Sequence, residues 1–204
     1  MKKLILAALI AAPALSFAAG PEMVVNGSFE QYSGASFNGF AKLAAGASEL
    51  TGWTVGATSV DIINGNYGAV SGNSIDMLGT PGPGSVAQTL STVIGQTYWL
   101  QFDLSSNRGG DNDAAGKELT VAGLGGGAAM SFSALTPGVA HQSYSFTADS
   151  TSTLLQFSSG PSGFSGSVLD NVSVTAVPEP QTYALMLGGL AAMAFVARRR
   201  QQPQ

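Results

Sequence analysis

Few side chains in this sequence have the chemistry of a catalyst. There is one histidine, His141, and no cysteine, so a thiol nucleophile and a cysteine-held metal centre are excluded. His141 follows Pro137-Gly138 at the start of an alternating segment, with no serine nucleophile elbow and no metal-ligand spacing around it. A partly exposed strand histidine is expected rather than a general base. Asp111-Asn112-Asp113-Ala114-Ala115-Gly116 opens like an EF-hand loop, but Ala115 stands where the third oxygen ligand belongs and position twelve falls on Ala122. A polar hairpin loop is expected there. Glu49, Asp61 and Asp76 would act as glycosidase carboxylates only if folding set two of them roughly 5 to 10 Å apart across a cleft. Asp61 and Asp76 lie within apolar strand-like runs, where bonds to backbone or turn residues are the simpler expectation.

Binding fits the composition better. Sugars present apolar C–H faces to aromatic rings and a hydroxyl rim to amides and carboxylates. Three aromatics are candidate glycan contacts: Tyr67 in Asn64-Gly65-Asn66-Tyr67, Trp99 on the strand face opposite Tyr98, and Phe164 in the loop 160–166. For each, a ring packed under a loop is the alternative. Trp53, beside Gly52 and near Val55, is expected in the core.

The elements that must position these residues are strands. Alternating runs separated by Gly, Ser, Asn and Pro clusters place strands at 53–55, 60–63, 74–78, 85–90, 96–104, 119–122, 128–132, 141–146, 153–157 and 168–174. That pattern predicts an all-β fold, two packed antiparallel sheets in a β-sandwich rather than a small barrel, over residues 19–176. With both termini set aside, three basic residues (Lys42, Arg108, Lys117) face eleven acidic ones, a net charge of −8. Nucleic acid is excluded as a partner, since phosphate neutralisation needs clustered Lys and Arg. Stability without disulfides must come from core packing.

Both ends read as address labels. Residues 1–18 carry Lys2 and Lys3, an apolar core and a Ser16-Phe17-Ala18 cleavage pattern, which is a secretory signal peptide. Residues 177–204 carry Pro178, Glu179 and Pro180, then an uncharged run to Ala197, then Arg198, Arg199 and Arg200. The prolines hold the backbone extended before the run. As a helix the run spans roughly 25 Å, so a transmembrane helix with a basic cytoplasmic stop is expected. In the order of its parts the tail resembles a PEP-CTERM sorting signal. The resemblance implies cleavage by exosortase near Pro178–Pro180, with the secretion machinery and the inner membrane as transient partners. Surface or extracellular release follows, in a setting of exopolysaccharide.

The body carries Val24-Val25-Asn26-Gly27-Ser28-Phe29-Glu30, Gly52-Trp53-Thr54-Val55, Val60-Asp61-Ile62-Ile63, the run from Ser74 to Gly79, and Leu169-Asp170-Asn171-Val172-Ser173-Val174. In that order they resemble the choice-of-anchor C family of exported bacterial domains, related to plant cell-wall proteins of a domain-of-unknown-function family. The resemblance implies a galactose-binding-like jelly roll and no catalytic residues. It also implies a structural calcium held by Glu30 and Asp170, with Asn26 as a further ligand, because two close carboxylates repel unless protonated or bridged. The alternative is that Asn26-Gly27 makes a turn and the two carboxylates are solvated or hydrogen-bonded. The function expected is a non-enzymatic matrix protein, structural or adhesive. A glycan-specific binding module is the alternative, and a glycan-active hydrolase the third.

Overall fold

Successive side chains of an extended segment point to opposite faces, so period-two alternation folds as strands with one apolar face. Among the described residues these are β1 (Phe40–Ala44), β2 (Thr54–Ala57), β3 (Ser59–Asn64), β4 (Asn73–Asp76), β5 (Gly84–Ser91), β6 (Thr97–Ser106), β7 (Glu118–Ala122), β8 (Met130–Ser133), β9 (Ala140–Thr147), β10 (Ser152–Ser159) and β11 (Ser167–Ala176), followed by the helix α1 (Pro180–Arg200). The computed structural model describes residues 20–107, 109, 117–134, 138–161, 163–178 and 180–200. The expected signal peptide, the acidic loop at 111–116 and Glu179 of the sorting motif lie outside the described residues.

Residues Gly20–Val177 form one unit. A six-stranded sheet in the order β1-β3-β4-β11-β6-β9 faces a five-stranded sheet in the order β2-β5-β10-β7-β8, and the pairings are antiparallel. The fold is thus the all-β two-sheet sandwich expected from the alternation, of the jelly-roll type that the resemblance implies. Val60, Ile62, Ile75, Leu100, Phe102 and Leu169 of the first sheet share the core with Val55, Val86, Val121, Leu155 and Phe157 of the second. Phe102 and Phe157 meet edge to face with centroids 5.3 Å apart. Trp53 is buried in the core, tilted against Phe29 at 5.3 Å. β1 escaped the sequence reading because it is an edge strand paired with β3 alone, and of its apolar residues only Leu43 is buried.

Over β3, β4 and the first half of β11 the outer face of the six-stranded sheet is buried as well. Since Val60 and Ile62 face the core, Asp61 and Ile63 point away from it, yet they are only 4% and 1% exposed. Ser74 and Asp76 on β4 and Val168 and Asp170 on β11 are buried in the same way. Two loops supply the cover. The Ser105 hydroxyl donates to the Gly68 carbonyl, and the Ser71 N–H donates to Asp170 Oδ2 at 3.2 Å. The Gly166 N–H donates to Asp76 Oδ1 at 2.9 Å.

The helix α1 begins at Pro180, a position where the missing N–H costs nothing. It corrects the expectation of a transmembrane helix: among the described residues no helix is long and apolar enough to cross a membrane. Gln181, Thr182 and Tyr183 take up its first turn and three arginines its last. The apolar stretch between them is well short of the roughly 20 residues a hydrocarbon core requires.

Phe102 lies between Phe132 and Phe157 at the centre of the core. Phe102→Ala is expected to cost about 3–5 kcal/mol in urea unfolding. A loss below about 1 kcal/mol would place the ring outside the core.

Candidate functional site

Tyr67 organises the covered face. It follows β3 in a loop of left-handed residues, with φ of 61° at Gly65, 58° at Tyr67 and 86° at Gly68. A bulky residue in that conformation costs roughly 1–2 kcal/mol, so its neighbours must hold it. They do. A Cβ on Gly109 would lie 2.7 Å from Tyr67 Cδ1, and one on Gly39 would lie 3.1 Å from Cε2. Glycine at both positions lets the ring in. The Phe40 ring on β1 meets it perpendicularly with centroids 5.8 Å apart.

Two cavities meet at this ring. The smaller, of about 170 Å³, has Phe40, Tyr67 and Phe164 at its rim and Asp61, Asp76 and Asn107 at its floor. The larger, of about 550 Å³, is lined by Asn66, Ser105, Ser106, Gly138 and Val139 and shares Tyr67 and Gly109 with the smaller. All three rim aromatics are at least 38% exposed, while the three floor residues are at most 6% exposed. A ring-lined rim over a hydrogen-bonding floor can seat an amphipathic ring such as a sugar.

The floor is held by charge. Asp76 Oδ1 accepts from the Leu78 and Gly166 N–H groups, and Oδ2 accepts from Asn107 Nδ2 at 2.6 Å. Lys117, 1% exposed, donates through Nζ to the Asn107 carbonyl at 2.5 Å and to the Ser165 carbonyl. It therefore ties together the two loops that carry Asn107 and Phe164. Asp61 accepts from the Thr80 N–H at 3.2 Å and the Thr80 hydroxyl at 2.8 Å. Burial pushes the Asp76 carboxyl up to about 7, and its hydrogen bonds only partly offset that. Burial also raises Asp61.

The residues expected to hold a cation divide. The first segment and the last strand adjoin: the Val172 N–H donates to the Gly27 carbonyl at 2.9 Å. The segment 71–74 receives both carboxylates. Glu30 Oε1 accepts from the Asn73 N–H at 2.8 Å. Asp170 Oδ2 accepts from the Ser71 N–H and hydroxyl and from the Ser74 hydroxyl at 3.0 Å, and Oδ1 accepts from the Asn171 N–H at 2.7 Å. Burial pushes Asp170 up to about 6. Asn26 does otherwise than expected of a ligand. Its Oδ1 accepts from the Gln31 N–H, its Nδ2 donates to the Gln31 and Thr51 carbonyls, and its own carbonyl accepts from Trp53 Nε1 and the Phe29 N–H. Its polar atoms fasten the first loop to the core. Among the described residues no group of three His, Cys, Asp or Glu side chains comes together.

Other expected residues fall elsewhere. Trp99 is 48% exposed on the outer face, as its strand position requires, but lies roughly 20 Å along β6 from Ser105 and lines neither cavity. His141 Nδ1 pairs with Asp103 Oδ1 on the surface, and Asp103 Oδ2 accepts from Asn171 Nδ2 at 2.9 Å. Phe40 and Asn107 are members of the site that the sequence did not mark: one is on the edge strand, the other in a featureless Ser-Asn-Arg-Gly loop.

Asp76 and Asp170 both bind protons more tightly folded than unfolded, where a carboxyl titrates near 4. Their contribution to stability is therefore fullest below about pH 4 and is lost as pH rises through 6 and 7, by up to about 1.4 kcal/mol per pH unit for each group. Without added divalent cations, the body is expected to melt at a higher temperature at pH 5 than at pH 7.5. Asp76→Asn, whose amide oxygen still accepts from Leu78 and Gly166, should flatten the upper part of the profile. Stability that climbs from pH 5 to pH 7.5 would contradict the assignment.

Comparison with known proteins agrees with this architecture. Over 168 residues the chain is 32% identical to Halomucin of Haloquadratum walsbyi (strain DSM 16790 / HBSQ001), covering 78% of this chain and 2% of Halomucin, so it spans a small fraction of that relative's length. An arabinose-bound α-L-arabinofuranosidase, MgGH51, superposes on 76% of this chain and 26% of its own at 15% identity, with a TM-score of 0.50. A CBM4 structure covers 76% of this chain and 99% of its own, also at 15% identity, with a TM-score of 0.44. A PEP-CTERM protein-sorting motif matches residues 176–200, which marks the chain for exosortase-mediated sorting, with transient membrane anchoring and export to the cell surface or extracellular space. Residues 22–175, the two sheets and the cleft between their loops, match the family described as a protein of unknown function, DUF642, and the chain belongs to that family.

Proposed function

We propose that the exported body is a non-enzymatic, adhesive component of the extracellular matrix that holds a glycan in the cleft around Tyr67. The observation that carries this reading is the exposed rim of Phe40, Tyr67 and Phe164 over the buried floor of Asp61, Asp76 and Asn107. The Tyr67 ring is pre-positioned by Gly39, Gly109 and Phe40, so stacking requires little new ordering. The carboxylates argue for binding over hydrolysis. Asp61 and Asp76 are register partners on adjacent strands, side by side rather than facing each other across a cleft. Each is at most 4% exposed and committed to loop donors. Within its family we assign the body to the choice-of-anchor C group, on the five ordered motifs that begin with Asn26-Gly27-Ser28-Phe29-Glu30.

A structural calcium between Glu30 and Asp170 is a narrower part of the same proposal. Both carboxylates reach the segment 71–74, and Asp170 remains destabilised by burial despite its four neutral donors. A hard cation with oxygen ligands would offset that charge. At calcium near 100 times its dissociation constant, binding to the native state adds about 2.7 kcal/mol. At pH 7.5 the full-length protein should thus melt several degrees higher in calcium than in chelator, and Asp170→Ala should abolish the difference. Equal melting of the parent protein in both conditions disposes of the cation.

For the cleft, glycan-array and calorimetric binding of the full-length protein should fall about tenfold or more on Tyr67→Ala, a loss of one stacking platform. Trp99→Ala should leave binding unchanged. Loss on Trp99→Ala with retention on Tyr67→Ala would move the site to the far end of β6.

A further inference from the structure

Lys117, Asn107 and Asp76 are a lysine, an asparagine and an aspartate enclosed together, at 1%, 6% and 1% exposure. A lysine is almost never buried to that degree. We propose that the three are the machinery of a self-made isopeptide bond, in which Lys117 Nζ becomes joined to Asn107 Cγ and Asp76 carries the protons. The bond does not depend on what the cleft above it binds.

Position gives such a bond a purpose. Asn107 directly follows β6 of the six-stranded sheet, and Lys117 directly precedes β7 of the five-stranded sheet. A covalent link between them fastens one sheet to the other in an exported chain that has no cysteine for a disulfide. Contact makes it reachable. Lys117 Nζ donates to the main-chain carbonyl of Asn107 at 2.5 Å. That oxygen and the carboxamide carbon belong to the same small residue, so a turn of the flexible lysine stem brings the amine to Cγ. The carboxamide is also prepared for attack. The Gly109 N–H donates to Asn107 Oδ1 at 2.8 Å, where negative charge gathers when a nucleophile adds. Asp76 Oδ2 accepts from Asn107 Nδ2 at 2.6 Å, where the leaving nitrogen needs a proton. Burial that pushes Asp76 up to about 7 suits it to take and return a proton near neutral pH.

The reaction balances with no outside reagent. Asp76 takes a proton from the Lys117 ammonium, and the freed Nζ lone pair attacks Asn107 Cγ while the carbonyl pair moves onto Oδ1. Asp76 hands its proton to Nδ2, the Cγ–Nδ2 bond breaks as the carbonyl re-forms, and ammonia departs. Nζ gives up a second proton, which passes through Asp76 to the ammonia. One ammonium group and one carboxamide have become a secondary amide and an ammonium ion, with no change of oxidation state.

Full-length protein, purified at neutral pH, is denatured and cut with trypsin, whose cleavage after Arg108 separates Asn107 from Lys117 in an ordinary chain. The segments on either side should stay joined, and tandem mass spectrometry should place an amide lacking one ammonia between Asn107 and Lys117. Lys117→Arg keeps a cation with several donors, and Asp76→Asn keeps an acceptor for the Leu78 and Gly166 N–H groups. Both should release separate segments at full mass. Separate segments from the parent protein overturn the proposal. So does an ammonia loss confined to one segment, the mark of a succinimide at an Asn-Gly pair. A joined pair lacking water rather than ammonia overturns Asn107 as the acceptor, and joining that persists in Asp76→Asn removes Asp76 from the reaction.

Discussion

The acceptor capacity of buried carboxylates on the outer face of one sheet is the constraint on which the rest of the architecture turns. A sandwich strand ordinarily buries one face and wets the other. Here β3, β4 and the first half of β11 bury both, because loops fold back over them. Folded-back loops bring irregular backbone whose N–H groups have no ladder to join, and each such group left unpaired in the interior is costly. Asp61, Asp76 and Asp170 answer that need. Between them they accept from the N–H groups of Ser71, Leu78, Thr80, Gly166 and Asn171 and from the Asn107 amide. The same bonds that close the loops set the positions of Tyr67, Asn107 and Phe164, so the site is a consequence of how the face is covered.

That coupling explains which parts were legible in the sequence. The strands that pair on both sides, β3 to β7, β10 and β11, advertise themselves by alternation, because a residue on the wrong face would be exposed or buried at a cost. β1 has one buried anchor, Leu43, and its pattern carries too little information. Tyr67 stood out because a large aromatic among Asn and Gly cannot be placed in a core by any periodicity. Phe40 gave no such contrast, being one apolar residue in a short apolar run. Asn107 is a site residue only because β4 and the loop after β6 converge, a relation of residues far apart in the chain. Asp61 and Asp76 were read as bonding backbone or turns, and they do; that this places them under a cavity is tertiary information.

Asn26 and the tail show where a motif and its physical reading part. Asn-Gly near the start of the body marks a turn, and Asn26 adopts φ of 56°, which asparagine tolerates better than most residues. Its side chain bonds Gln31 and Thr51, so the residue type meets a local conformational and hydrogen-bonding demand of its own. The tail is recognised as a sorting motif by the order of its three parts, an order read by a partner protein. Crossing a membrane is a separate demand, set by apolar length, and an ordered motif does not guarantee it. Signal and span are different properties that share residues.

The choice of acid over apolar side chains beneath the loops also has a consequence for specificity. Replacing Asp76 by a hydrophobic residue of similar volume would spare a desolvation cost, and buried ionic groups often lose that comparison on stability alone. It would also leave the Leu78 and Gly166 N–H groups and the Asn107 amide without their acceptor, and the loops would have no reason to close in one arrangement rather than another. Lys117 completes the clasp by donating from one ammonium to carbonyls on both loops. Stability given up at the floor is thus exchanged for a single placement of the rim, and a recognition surface built from loops needs that more than it needs the last few kcal/mol.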